Sequence, residues 1–199
     1  MKGRKVLALF DFDGTITTRD SFIDFFEYHS GFFKFWLLAV ATFPFSLGKV
    51  FGFVDPKFLK EIFLLRFIKG KNVEELNDFS LKYTKEKLPG ILKKSALDEI
   101  ARHKAEGNDI ALVSASPTLW LSHFAKMNGM ELISTRLEVK DGCYTGKIVG
   151  KNCIGAEKVR RIKEKYDISS YDEIYAYGDT KGDKEMLEIA HKKHFRHFS

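Results

Sequence analysis

The stretch Val6-Leu7-Ala8-Leu9-Phe10-Asp11-Phe12-Asp13-Gly14-Thr15 constrains this chain more than any other: an apolar run that stops abruptly at two carboxylates, a glycine and a hydroxyl. A continuous apolar run of this length reads as a strand buried on both faces, the kind found in the middle of a parallel sheet. The carboxyl end of such a strand is where open α/β sheets place their ligands. Asp11 and Asp13 are two apart, so a strict strand sends both side chains off the same face, and Gly14 lets the backbone turn just beyond them. Two anions held that close repel unless a cation lies between them. A hard divalent ion such as Mg²⁺ meets that need, taking one or two carboxylates and completing its shell with water and phosphate oxygens.

The next part of the chain has no strand signal. Asp20 or Ser21 caps a helix through Phe22, Phe25, Phe26 and His29. Between Lys34 and Lys49 lie fourteen uncharged residues, rich in Phe, Leu and Ala. They fall short of the roughly 20 a spanning helix needs, and Pro44 would kink one, so a transmembrane span is rejected. Two readings of 32–53 stand: a helix or helical hairpin buried in a small lid, or an apolar surface that touches lipid or a greasy substrate. Asp55-Pro56 opens a helix with Phe58, Leu59, Ile62, Phe63 and Leu65, which Gly70 stops. Asn72 caps another over 73–87, ended by Pro89-Gly90.

Beyond residue 90 helices alternate with apolar runs. A helix over 96–105 leads to the strand 109–113, which ends in Ser114-Ala115-Ser116-Pro117; Ser116 and Pro117 read as cap and first turn of a helix through Leu119, Leu121, Phe124 and Met127. A strand end, a hydroxyl and a helix start make a corner that favours a phosphate. A weaker strand covers 132–134, and 136–149 alternates around Asp141-Gly142 as a hairpin. A helix from Gly155 to about Tyr166 follows. The strand 173–177 then runs into Gly178-Asp179-Thr180-Lys181-Gly182-Asp183 and a helix over 184–190. The tail from His191 to His197 reads as a basic surface terminus.

With 199 residues, 44% hydrophobic and 30% charged, the chain can bury a substantial core. Its formal charge of +6 comes from lysines scattered along the sequence, without the dense basic block and interleaved aromatics of a single-strand binder, so nucleic acid is not an expected partner. Cys143 and Cys153 lack both metal-ligand spacing and disulfide density and read as free thiols in a reducing compartment. No leader precedes the first strand, and the expected location is cytoplasmic, with peripheral membrane contact through 32–53 on the second reading of that segment.

Taken in order, the polar strand and helix ends are Asp11/Asp13/Thr15, Ser114, Lys158 and Asp179/Asp183. That set resembles the four motifs of the haloacid dehalogenase-like superfamily, and within it the phosphoserine-phosphatase-like subfamily, IB. The resemblance covers about two thirds of the chain. It implies a Rossmannoid three-layer α/β/α core with a parallel sheet, over residues 1–17 and 89–199, with an inserted all-helical cap of the C1 type over 18–88 and a small β-hairpin. It also implies phosphomonoester hydrolysis through an aspartyl-phosphate on Asp11, with Asp13 as general acid and then base. Asp179, with Asp11 and the backbone carbonyl of Asp13, would hold Mg²⁺. Thr15, Ser114, Ala115 and Lys158 would bind the transferring phosphoryl group, with Asp183 as a further ligand or a supporting residue. Asp20 and Arg66 are the cap positions matched to substrate selection.

Phosphoserine phosphatases carry a glutamate where this chain has Asp20, a Ser-Gly-Gly where it has Ser114-Ala115-Ser116, and an asparagine where it has Gly182. These departures point to another substrate. The apolar insertion and Ser-x-Ser-Pro are closer to related phosphatases that act on lipid headgroups, such as phosphatidylglycerophosphatase of the C type. The expected substrate is a small or lipid-headgroup phosphomonoester, with phosphoserine as the alternative. A non-hydrolytic phosphate-storing module is a reading of another class, and Asp13 speaks against it: a module meant to keep its phosphate has no use for an acid/base group two residues from the acceptor.

Overall fold

The computed structural model describes residues 4–40 and 56–198. The expectations placed on 41–55, including most of the apolar segment and the Asp55 cap, lie outside the described residues. Strand β1 (Val6–Phe10) is fully buried and occupies the centre of a five-stranded, all-parallel sheet. It pairs with β2 (Asp109–Pro117) on one side and β6 (Glu173–Gly178) on the other; β3 (Glu131–Thr135) and β7 (Lys192–Phe195) form the edges, giving the order β3-β2-β1-β6-β7. Alternation along β1 sorts the two faces. Ala8 and Phe10 meet Ile110, Leu112 and Tyr177 beneath α5 (Lys94–Ala105) and α6 (Thr118–Asn128), whereas Leu7 and Leu9 meet Ala111, Val113 and Ile174 beneath α7 (Ala156–Lys165) and α8 (Lys184–Glu188). The sheet and its flanking helices are the expected three-layer α/β/α core.

Two differences from the sequence reading concern the sheet. The tail is not a loose basic terminus, because residues 192–195 add a fifth parallel strand to β6. Its lysines and Phe195 face solvent, and His194 stacks on Tyr177 at 4.6 Å, a pattern of charge on a short edge strand that blunts further pairing but carries no apolar alternation to read. Past it, Phe198 is buried against Tyr177 and Phe10. The second difference is that β2 continues to Pro117, so Ser116 belongs to the strand end and its side chain does not cap α6.

Between β1 and β2 the described residues are helical: α1 (Ser21–Ser30), α2 (Phe32–Val40), α3 (Pro56–Phe67) and α4 (Val73–Glu86), closed by a 3₁₀ turn at Leu88–Ile91. Asp20 and Asn72 cap α1 and α4 as their positions predict, each accepting two backbone N–H groups. The two ends of this insertion are stitched together, with Thr18 N donating to Ile91 O at 2.8 Å and Lys93 N to Ile16 O at 2.8 Å. Aromatic rings hold the helices to the sheet layer. Trp120 of α6 stacks on Phe25 at 4.4 Å and donates its indole N–H to Ser21 Oγ at 2.9 Å, and Phe26, Phe63 and Phe67 continue the cluster to Phe35. The hairpin β4 (Leu137–Lys140) and β5 (Cys143–Ile148) packs on α3 so closely that a Cβ on Gly146 would lie 2.8 Å from Leu65 Cα. Both cysteines are unpaired.

Candidate active site

Each strand that matters ends at the same edge of the sheet. β1 delivers Asp11, buried, and the turn after it brings back Thr15, whose hydroxyl lies 3.1 Å from Asp11 Oδ2 and 3.3 Å from Asp179 Oδ1. The turn works only with glycine: Gly14 sits at φ +81°, and a Cβ there would stand 2.2 Å from Asp179 Oδ2. β6 delivers Asp179, and the short 3₁₀ turn that follows aims Asp183 inwards, where its Oδ2 accepts from Thr180 N and Oγ1. From the first turn of α7 comes Lys158, fully buried, whose ammonium donates to Asp11 Oδ1 (2.6 Å), Asp183 Oδ1 (2.6 Å) and Val113 O (2.8 Å). This lysine is not the solvated helix cation its sequence position alone would give.

The charges at this centre set one another. Burial pushes the Asp11 carboxyl well above its ordinary value, with Asp183 and Asp13 adding to the effect and the Lys158 ammonium opposing it. Burial works against the charge of Lys158, but the carboxylates of Asp11 and Asp183 outweigh it and keep the amine protonated. For Asp183 burial is likewise overcome, chiefly by Lys158, and its carboxyl is held below the usual range. Asp179 is raised, by burial first and by Asp183 second. One oxygen each from Asp11, Asp179 and Asp183 lies within 4.8 Å of the others, a hard, all-oxygen donor set with the buried Lys158 ammonium on two of its members. Such a triad fits a divalent cation.

Asp13 stands apart from this triad. Its Oδ2 accepts from Ser116 Oγ at 2.6 Å and its Oδ1 from the backbone N–H of Ser21, the first residue of α1, at 2.7 Å. Ser114 is fully buried, and its Oγ accepts the N–H of Ser116 at 3.0 Å. The Ala115 carbonyl accepts from Lys60 Nζ (2.8 Å) and Thr135 Oγ1 (2.7 Å). Asp11, Asp13, Lys158 and Asp183 form the floor of a cavity of about 360 Å³, walled by Phe22, Asp20, Ser116 and Ile154. Lys60 of α3 also lines it, and reaches Asn152 Oδ1 at 3.3 Å.

The structure therefore gathers Asp11, Asp13, Thr15, Ser114, Ala115, Lys158, Asp179 and Asp183 at one sheet edge, with Asp20 on the wall. Arg66 is not brought there: it lies exposed in the last turn of α3 and does not line the cavity. Lys60, Ser116 and Asn152 were missed by the sequence reading. Lys60 and Asn152 carry no local signature. Ser116 did offer one, since a hydroxyl two residues beyond Ser114 leaves an extended strand on the same face.

An all-parallel sheet with an acidic triad, a buried lysine and a helical insertion after the first strand defines a hydrolase centre of one recognisable kind. The model of the haloacid dehalogenase-like hydrolases matches residues 8–188, and the chain belongs to that family. Its sequence is 35% identical over 198 residues to Protein CicA of Caulobacter vibrioides, covering 97% of this chain and 86% of the relative. Its fold is similar to that of a protein of unknown function from Bordetella pertussis Tohama I, with a TM-score of 0.82, 24% identity and coverage of 94% and 87% of the two chains. It is also similar to a substrate-bound phosphoserine phosphatase, with a TM-score of 0.68, 20% identity and coverage of 98% and 87%. The fold and family expected from the motifs are thus those found.

Proposed function

We propose that the protein is a Mg²⁺-dependent phosphomonoester hydrolase that works through an aspartyl-phosphate on Asp11. One observation carries the reading above the rest: Asp11 is held at the cavity floor between the Lys158 ammonium and the Thr15 hydroxyl, with the Asp13 carboxyl facing the same space. A carboxylate oxygen of Asp11 attacks phosphorus, the ester P–O bond breaks, and its electron pair leaves with the alcohol oxygen, which takes a proton from Asp13. Asp13, now a carboxylate, removes a proton from water; that water attacks the same phosphorus and the bond to Asp11 breaks, restoring both side chains. Lys158 offsets the negative charge of nucleophile and phosphoryl oxygens, and the Ser114 hydroxyl donates to one of those oxygens. Bound by Asp11, Asp179 and Asp183, the divalent ion would act as a Lewis acid on the phosphoryl group.

For the substrate, the exposed face of α2 favours a lipid-headgroup phosphomonoester. Phe35 turns inward at 2% exposure, whereas Phe32, Phe33, Trp36 and Leu37 stand 58%, 87%, 47% and 74% exposed on one short helix. Aromatic and aliphatic side chains presented outward suit the headgroup and acyl boundary of a bilayer. The net charge of +6 adds attraction to an anionic surface, about 1 kcal/mol for each lysine or arginine near it. No helix among the described residues is long and apolar enough to cross a membrane, so the contact proposed is peripheral. A second reading, a small zwitterionic ester such as phosphoserine, is favoured by Asp20 and Lys60 lining one cavity with opposite charges.

A panel of phosphorylated metabolites, including L-phosphoserine, and lysophospholipid phosphates, assayed with Mg²⁺ beside Asp11→Asn as blank, decides between them. Turnover on a lipid ester, lost in the variant and abolished by EDTA, is the expected result. A protein that neither floats with anionic vesicles nor cleaves any lipid phosphate would refute the lipid reading.

A further inference from the structure

The oxygens of Asp13 are occupied by two donors of different origin. Oδ1 accepts the Ser21 N–H, a backbone group that can only donate, and Oδ2 accepts the hydroxyl of Ser116. Ser116 is 3% exposed and borders the cavity. Its hydroxyl does not serve the helix beyond it, since α6 begins at Thr118 without a side-chain cap and Pro117 offers no N–H. Its backbone is engaged as well, since its N–H donates to Ser114 Oγ and leaves that hydroxyl's own proton to be given to another acceptor.

We propose that Ser116 is a positioning residue that aims the Asp13 carboxyl at the leaving oxygen while its amide aims the Ser114 hydroxyl at the phosphoryl group. The inference rests on the reading of Asp13 as the general acid given above. With Oδ1 pinned by the helix start and Oδ2 by the hydroxyl, the carboxyl plane is fixed by two points that belong to different parts of the chain. Both donors strengthen as charge builds on Asp13 during proton transfer, so their contribution grows toward the transition state rather than in the ground state. The same contacts hold the carboxylate in place for the later step, when it takes a proton from water.

The leaving group provides the test, because kcat/KM reports only the steps through loss of the alcohol. p-Nitrophenolate departs without a proton, whereas an alkoxide needs one. General acid assistance contributes about 10²–10⁴-fold, of which aiming is a part. Ser116→Ala is therefore expected to lower kcat/KM for glycerol phosphate by about tenfold or more and for p-nitrophenyl phosphate by less than about threefold. Ser116→Thr, which keeps the hydroxyl, should restore most of the loss. In an Asp13→Asn background the Ser116→Ala change should cost little further on glycerol phosphate, as expected of groups acting through one another. Equal losses on the two esters, with raised KM on both, would make Ser116 a phosphate contact or a structural residue and overturn the proposal. So would an unchanged rate on the alkyl ester. A wild-type protein that with Mg²⁺ cleaves neither these esters nor any lipid phosphate or metabolite of the panel above would overturn the phosphatase reading itself and this inference with it.

Discussion

Gly14 and His103 show how much a single position carries. Nothing larger than hydrogen fits between residue 14 and Asp179, and the left-handed backbone there disfavours any side chain. Gly14→Ala should therefore push the two acidic loops apart, lowering both turnover and Mg²⁺ affinity measured by calorimetry by at least about 100-fold, or about 3 kcal/mol. His103, wholly buried, has Tyr177 Oη (3.0 Å) and the Arg102 guanidinium (3.2 Å) at Nε2 and the Asn108 amide nitrogen (2.9 Å) at Nδ1. Tyr177 donates to Glu99 at 2.5 Å, so its oxygen accepts from His103 Nε2, and Nδ1 accepts the Asn108 amide. Among the described residues a proton on Nδ1 would meet the Asn108 amide nitrogen, which also donates to Glu106 Oε2, rather than an acceptor. Burial, helped by Arg102, holds the imidazole below its ordinary 6.5, so on acidification the unfolded chain takes up the proton first. The stability tied to His103 is complete above pH 6.5 and is lost as the pH falls below it. Thermal midpoints should drop through that window, and His103→Gln should flatten the drop.

At the scale of elements, the parts that were legible in the sequence are those whose signal is local. β1, β2 and β6 could be read because each is an apolar run too short for a helix and punctuated by Gly, Asp or Ser. Asp20 and Asn72 could be read as caps because capping is decided within three residues. β7 could not, since a short edge strand with outward lysines has no alternation, and each of its residues pairs with a β6 partner seventeen positions earlier in sequence. Lys158 was legible as a motif position but not as a buried cation, because burial comes from Asp11, Asp183 and Val113 O on three other segments. The same tail fastens the centre from behind: Lys93 Nζ donates to Gly14 O (2.8 Å) and Phe198 O (3.1 Å), and Arg196 N to Gly178 O (2.8 Å). Phe198→Ala should cost about 3 kcal/mol in urea unfolding, near the low end for a buried phenylalanine. For α2, Phe33→Glu should lower retention on anionic vesicles while leaving the rate on p-nitrophenyl phosphate unchanged.

Across the whole molecule, the insertion and the sheet layer share one apolar cluster. Trp120 belongs to a helix of the core yet packs on Phe25, Phe26 and Tyr83 of the insertion. The two parts should unfold as one cooperative unit, with indole fluorescence and far-ultraviolet dichroism giving coincident transitions. Trp120→Ala should destabilise both together by about 3–5 kcal/mol. The junction at the start of α1 has a further meaning. The Ser21 amide, at the head of the insertion, donates to Asp13, so a substitution that shifts the start of α1 also shifts the carboxyl proposed above as the general acid. Whatever loosens or turns the opening of the insertion is thus felt at that carboxyl through a single backbone N–H.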